Sequence, residues 1–153
     1  MVAREQKTVL VSGASTGIGR ATVQWLAARG HRVFAGVRKE ADADSIREDA
    51  EGLAGDGALE PVQLDVTVPA DIDALAEQFE DDGIQLDGLV NNAGIVVAFP
   101  LEVLPINDLR RQFEVNFFSQ AQVTQAFLPG LRATRGRIVN MSSIAGRVSN
   151  PFM

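Results

Sequence analysis

The stretch Thr8-Val9-Leu10-Val11-Ser12-Gly13-Ala14-Ser15-Thr16-Gly17-Ile18-Gly19 decides the fold. Thr8 to Val11 is a continuous apolar, β-branched run, the pattern of a buried strand, and Ser12-Gly13 ends it. Ile18 to Ala28 reads as a helix, with Ile18, Ala21, Thr22, Trp25 and Leu26 on one face and Gly30 as its stop. The loop between them spaces its glycines G-x-x-x-G-x-G. A bound phosphate needs backbone N–H groups with no side chain in the way, and it gains from the positive end of a helix dipole. Gly13 permits the tight turn, Gly17 lets the backbone approach a diphosphate, and Gly19 lets the helix pack close to the sheet. Ser15 and Thr16 add hydroxyl donors. The spacing is not G-x-G-x-x-G, and no G-K-[ST] follows, so this is not a P-loop. A glycine-rich turn without a ligand is the plain alternative. The strand before it and the helix after it favour a cradle for a dinucleotide diphosphate.

Outward from this unit, short apolar runs alternate with amphipathic stretches. Arg32 to Val37 and Leu59 to Val66 read as the second and third strands, with a polar, weakly helical segment from Ala41 to Leu53 between them. Ile72, Leu75, Ala76 and Phe79 lie at i, i+3, i+4 and i+7, which predicts an amphipathic helix over Ala70 to Asp81. Leu86 to Val90 is the fourth strand and runs into Asn91-Asn92-Ala93-Gly94. Ile106 to about Leu128 is a long helix, apolar on more than one face, and Arg137 to Met141 is the fifth strand. Alternation of this kind predicts an α/β fold, a doubly wound parallel sheet of Rossmann type with strand order 3-2-1-4-5 and a ligand at the carboxyl ends of the strands.

Bulk properties narrow the function classes. A chain of 153 residues with 46% hydrophobic and 22% charged residues fits one globular domain and argues against disorder. The net charge of −6 makes a nucleic-acid partner unexpected, because binding a polyanion needs a basic face. Cysteine is absent, which removes disulfide and thiolate chemistry and fits a reducing cytoplasm. The apolar run Val9 to Val11 is too brief for a signal peptide or membrane span, so no membrane partner is expected. No metal site is expected either.

Together with the glycine loop, Asn91-Asn92-Ala93-Gly94, Leu64-Asp65-Val66, Val115-Asn116 and Ile138-Val139-Asn140-Met141-Ser142-Ser143 resemble the short-chain dehydrogenase/reductase family, in that family's order and over nearly the whole chain. The resemblance implies an oxidoreductase that moves hydride between a nicotinamide dinucleotide and an alcohol or ketone. It implies that Asp65 bonds the adenine amino group and Val66 flanks the ring. Asn91, Ala93 and Gly94 would line the nucleotide beside Gly13, Ser15, Thr16, Gly17, Ile18 and Gly19. A helix cap is the other reading of Asp65, although Thr67 could fill that role; a plain turn is the other reading of Asn91-Asn92. Ser143 corresponds to the catalytic serine that orients the substrate carbonyl. Asn116 corresponds to the helix asparagine that holds a water in the proton relay; a side-chain bond to backbone would also account for it. The long helix 106–128 contributes to the family's subunit interface, so a homo-oligomer is expected.

The choice of nucleotide rests on the second strand. A carboxylate near its end would bond a ribose 2′-OH, whereas a basic residue accommodates a 2′-phosphate. Val37 falls at the acidic position, and Arg38 and Lys39 follow, so NADP(H) is favoured, with NAD(H) possible. A solvated pair of surface cations is the alternative. The family's acid/base is a tyrosine in Tyr-x-x-x-Lys after the serine, and this chain contains no tyrosine. Ala145 to Met153 resembles the loop that precedes that motif. The expectation is therefore an N-terminal portion, inactive alone, with its fifth strand an open edge. A non-catalytic dinucleotide-binding or regulatory protein is the alternative function. An S-adenosylmethionine-dependent methyltransferase is a third reading, disfavoured by the glycine spacing and the missing acid.

Overall fold

The computed structural model describes residues 6–53 and 55–148. Five parallel strands form one sheet in the order β3-β2-β1-β4-β5: β1 is Thr8–Val11, β2 Arg32–Val37, β3 Ala58–Gln63, β4 Gly88–Asn91 and β5 Arg137–Asn140. Register runs Val11 against Ala35 on one side and against Val90 on the other, so β2 extends two residues and β4 one residue past the end of β1. The expected strand order and α/β architecture are both present.

Alternation along each strand divides the core in two, because successive side chains point to opposite faces. Leu10, Phe34 and Leu89 face α3 (Pro69–Asp81) and α5 (Ser119–Thr134), where Ile72, Leu75, Phe79, Val123, Phe127 and Leu131 are buried. Phe79 lies 4.6 Å from Phe34 and 5.5 Å from Phe127, ring centre to ring centre. Val9, Val11, Val33, Ala35 and Val37 face α1 (Gly17–Ala27) and α2 (Glu40–Glu51).

Four details differ from the sequence reading. The buried face of α1 is Gly19, Val23 and Ala27, whereas Ile18 and Trp25 are 65% and 55% exposed. Small side chains at i, i+4 and i+8 let this helix approach the sheet closely, and that outweighs the larger apolar area on the other face. Second, β3 ends at Gln63. Leu64 still donates its N–H to the Val37 carbonyl at 2.8 Å, and the chain then turns away through Asp65. Third, the long helix does not stop before Pro129. It runs as α4 (Ile106–Phe113), a π-helical turn (Glu114–Phe118) and α5, ending at Thr134 with Arg135 left-handed at φ 54°. Burial of Leu131 and the bond from Thr134 Oγ1 to the Leu86 carbonyl, 2.6 Å, hold the last turn against the lost Pro129 donor. Fourth, β5 ends at Asn140, and all four of its residues are exposed. The segment Ser149–Met153, part of the loop compared with the family's, lies outside the described residues.

Candidate functional site

A cleft of about 830 Å³ opens at the carboxyl ends of the strands. Its walls are the loop after β1, the β3–α3 segment, the chain after β4, and α4 with its π turn. Ten of the expected residues line it: Gly13, Ser15, Thr16, Ile18, Gly19, Arg38, Asp65, Val66, Ala93 and Gly94. Five do not. Gly17 is left-handed at φ 57° with open space where a side chain would stand. Lys39 is the exposed N-cap residue of α2, Asn91 is buried, and Asn116 and Ser143 are exposed and not part of the cleft's lining.

The loop is braced from behind by β4. Ser12, fully buried, accepts N–H bonds from Asn92 (3.0 Å) and Ala93 (3.1 Å) at its hydroxyl oxygen. Asn92 Nδ2 donates to the carbonyls of Ser12 and Gly13, 3.0 Å each. A Cβ on Gly13 would stand 2.7 Å from Ala93 Cα, and one on Gly19 would collide with the Gly13 carbonyl and Asn92 Nδ2. Glycine at these two positions is therefore required by contact, and at Gly13 also by φ 65°. Ser12 and Asn92 are residues the sequence reading did not single out. A polar residue at the end of a buried strand was the available signal.

The loop delivers an uncapped helix end to the cleft. Thr16 is the N-cap of α1 but makes no side-chain cap bond, and no acid stands in the first turn. The N–H groups of Gly17, Ile18 and Gly19 have no intrahelical acceptor. Such donors, with the dipole behind them and open space at Gly17, fit a diphosphate. Behind α1, Arg20 donates to both oxygens of Asp49 at 2.7 and 2.9 Å. That pair ties α1 to α2, and the guanidinium holds the Asp49 carboxyl below the usual carboxylate range.

The remaining residues divide by surroundings. Asp65 Oδ1 accepts from the N–H (2.9 Å) and hydroxyl (2.7 Å) of Thr67, a local turn, while Val68 is the N-cap of α3; neither Asp65 nor Thr67 caps that helix. Val37 is 2% exposed, so its position offers no polar side chain to a ribose, and the Arg38 guanidinium has no partner among the described residues. Asn91 Nδ2 donates to Thr124 Oγ1 (2.9 Å) and Asn140 Oδ1 (2.8 Å), joining β4, α5 and β5. The Asn116 side chain forms a reciprocal pair with the Ile95 backbone: Oδ1 accepts from the N–H and Nδ2 donates to the carbonyl, 2.8 Å each. This is the backbone-bond alternative of the sequence reading, seated in the π turn. Ser143 is exposed, and its hydroxyl accepts from the Ala145 N–H at 3.2 Å. Among the described residues there is no His/Cys/Asp/Glu group able to hold a metal, and no helix is long and apolar enough to cross a membrane.

Residues 7–153 match the family model described as short chain dehydrogenase. The chain is 39% identical over 152 residues to the 3-amino-tetrahydro-pyrrolizinone reductase of Xenorhabdus hominickii, covering 97% of this chain and 49% of that protein. It superposes on a short-chain dehydrogenase from Streptomyces avermitilis with TM-score 0.83 and 34% identity, covering 95% of this chain and 52% of the other. A 3-oxoacyl-[acyl-carrier protein] reductase from Brucella melitensis, solved with bound NAD, superposes with TM-score 0.82 and 32% identity over 97% of this chain and 58% of the other. The chain thus spans about half the length of these relatives.

Proposed function

The chain belongs to the short-chain dehydrogenase/reductase family, and from that premise we propose that it is the dinucleotide-binding part of an NADP(H)-dependent alcohol/ketone oxidoreductase. One observation carries the reading. The uncapped start of α1 and Arg38, whose guanidinium has no partner among the described residues, line one cleft, and the position before Arg38 is a buried valine rather than a carboxylate. Gly17, Ile18 and Gly19 present N–H donors to the diphosphate, Ser15 and Thr16 add hydroxyls, and Arg38, assisted by Lys39, takes the 2′-phosphate. Asp65 and Val66 receive the adenine, and Ala93 and Gly94 pack beside the loop, held by Asn91 and Asn92.

When bound, the cofactor supplies or accepts the hydride. Ser143 orients the substrate carbonyl by hydrogen bonding its oxygen. Asn116 positions the Ile95 segment and, through the π turn, the water of the proton relay. No tyrosine stands among the 153 residues to serve as acid/base, so the chain by itself is expected to bind nucleotide without turnover. That same observation supports the second reading, a nucleotide-binding protein without catalysis. The reading also takes residues 1–153 as one dinucleotide-binding domain, in the cytoplasm, that self-associates through helix 106–128 and the open edge of β5.

The test is a calorimetric titration of the 153-residue chain with NADPH and NADH. Tighter NADPH binding that Arg38→Ala abolishes supports the proposal. Tighter NADH binding, indifferent to Arg38→Ala, contradicts it. Added alcohol or ketone separates the two readings only if turnover appears.

A further inference from the structure

One wall of the cleft carries a cation that the family motifs do not include. Arg111 lies on α4 one turn before Val115, so the two share a helix face, and both line the cleft. Its guanidinium has no hydrogen-bond or ion-pair partner among the described residues. Arg110, its neighbour, donates to Asn107 Oδ1 at 3.2 Å. Glu114 also lines the cleft, but no ion pair joins it to either arginine among the described residues. Four other arginines are engaged: Arg20 pairs with Asp49, Arg32 with Glu60, Arg47 with Glu40 and Asp44, and Arg29 stacks 3.5 Å over Trp25.

The wall beneath Arg111 is braced. Asn116 grips the Ile95 backbone, and Gln112 Oε1 accepts from the Val97 N–H at 2.5 Å, so residues 95–97 are tied at two points to the helix that follows Arg111. Val66, Ile95 and Val115 supply branched aliphatic lining to the same cleft. Branched aliphatic lining that shares a cleft with a guanidinium unpaired among the described residues suits a flat aromatic ring, because the guanidinium plane stacks on π faces and is weakly hydrated.

We propose that Arg111 closes the adenine end of the cleft by stacking its guanidinium on the purine, and so sets affinity for the adenosine half irrespective of the 2′-phosphate. This rests on the dinucleotide reading above. Arg38 discriminates between the two nucleotides; Arg111 strengthens both alike.

The experiment is calorimetry of 5′-AMP and 2′,5′-ADP with the full 153-residue chain and its Arg111→Ala, Arg111→Met and Arg111→Lys variants, with melting curves to check the fold. Arg111→Met retains an aliphatic stem, so an effect common to Ala and Met belongs to the guanidinium. The expected result is the same loss for both ligands in both variants, about threefold to thirtyfold. Arg111→Lys recovers little of it, since an ammonium has no plane. Loss confined to 2′,5′-ADP, or full rescue by Lys, makes Arg111 a phosphate cation and overturns the proposal. Unchanged affinities overturn it as well. The dinucleotide reading fails separately: wild-type chain that binds neither ligand removes both, whereas wild-type binding that is untouched at Arg111 removes this inference alone.

Discussion

The two ends of the sheet's carboxyl edge are built differently. At β1, the loop Ser12 to Gly19 is surrounded: α1 covers one side, β2 and β4 flank it, and Ser12 and Asn92 lock it with four hydrogen bonds to neighbouring backbone. At β5, all four strand residues are exposed, with Val139 at 49%, and Ser143 follows with a single local bond. Phe113, Phe117 and Phe118 stand exposed on the helix that leads there. The loop proposed to hold the diphosphate is thus locked in place in this chain as folded, while the serine assigned to substrate chemistry has no comparable support. On the proposed reading, binding and turnover have separable structural requirements here.

The comparison breaks most readily at Gly19. Gly19→Val forces a branched side chain into the Gly13 carbonyl and Asn92, so dinucleotide binding should fall at least a hundredfold, with a much lower melting temperature; calorimetry and thermal melting check both. Ser12→Ala should come next. It leaves the Asn92 and Ala93 N–H groups without their acceptor, and a loss of about 1–3 kcal/mol is expected by chemical denaturation. At the other end of the sheet, Ile138→Lys with Val139→Lys should change stability by no more than about 0.5 kcal/mol each. The same pair should lower the apparent mass in light scattering, because charge on an open edge opposes association.

Smaller effects sharpen the contrast. The Asp49 carboxyl is held low by Arg20, so its contribution to stability is present above the ordinary aspartate range, about 3.9, and is lost as pH falls through its lower folded value. Arg20 is solvent-accessible, which keeps the effect small. Asp49→Asn should thus lower the melting temperature slightly at pH 7, and the difference should vanish in acid. Ser143→Ala should be silent in both melting temperature and nucleotide affinity; a clear drop in either would mean that the β5 end is better integrated than its exposure shows.

Much of this was legible in the residues. β1 and β2 match their runs residue for residue, since a short apolar run between turn residues leaves little other choice. The α3 face also follows from its period. The face of α1 was not legible, because Ile18 and Trp25 outweigh Gly19, Val23 and Ala27 in apolar area while only the latter permit close approach to the sheet. Asn116 shows the same limit: its type and place were visible, but its partner, Ile95, lies 21 residues away.

By itself, then, the sequence determined the strand order, the glycine loop and the family, because short-range patterns and motif spacing carry them. Only the tertiary structure decided that Thr16 leaves α1 uncapped, that Asn92 clamps Gly13, and that Arg111 shares the cleft with Arg38. Those facts depend on which side chains long-range packing brings together, and no local pattern encodes a contact across 80 residues such as Ser12 with Asn92.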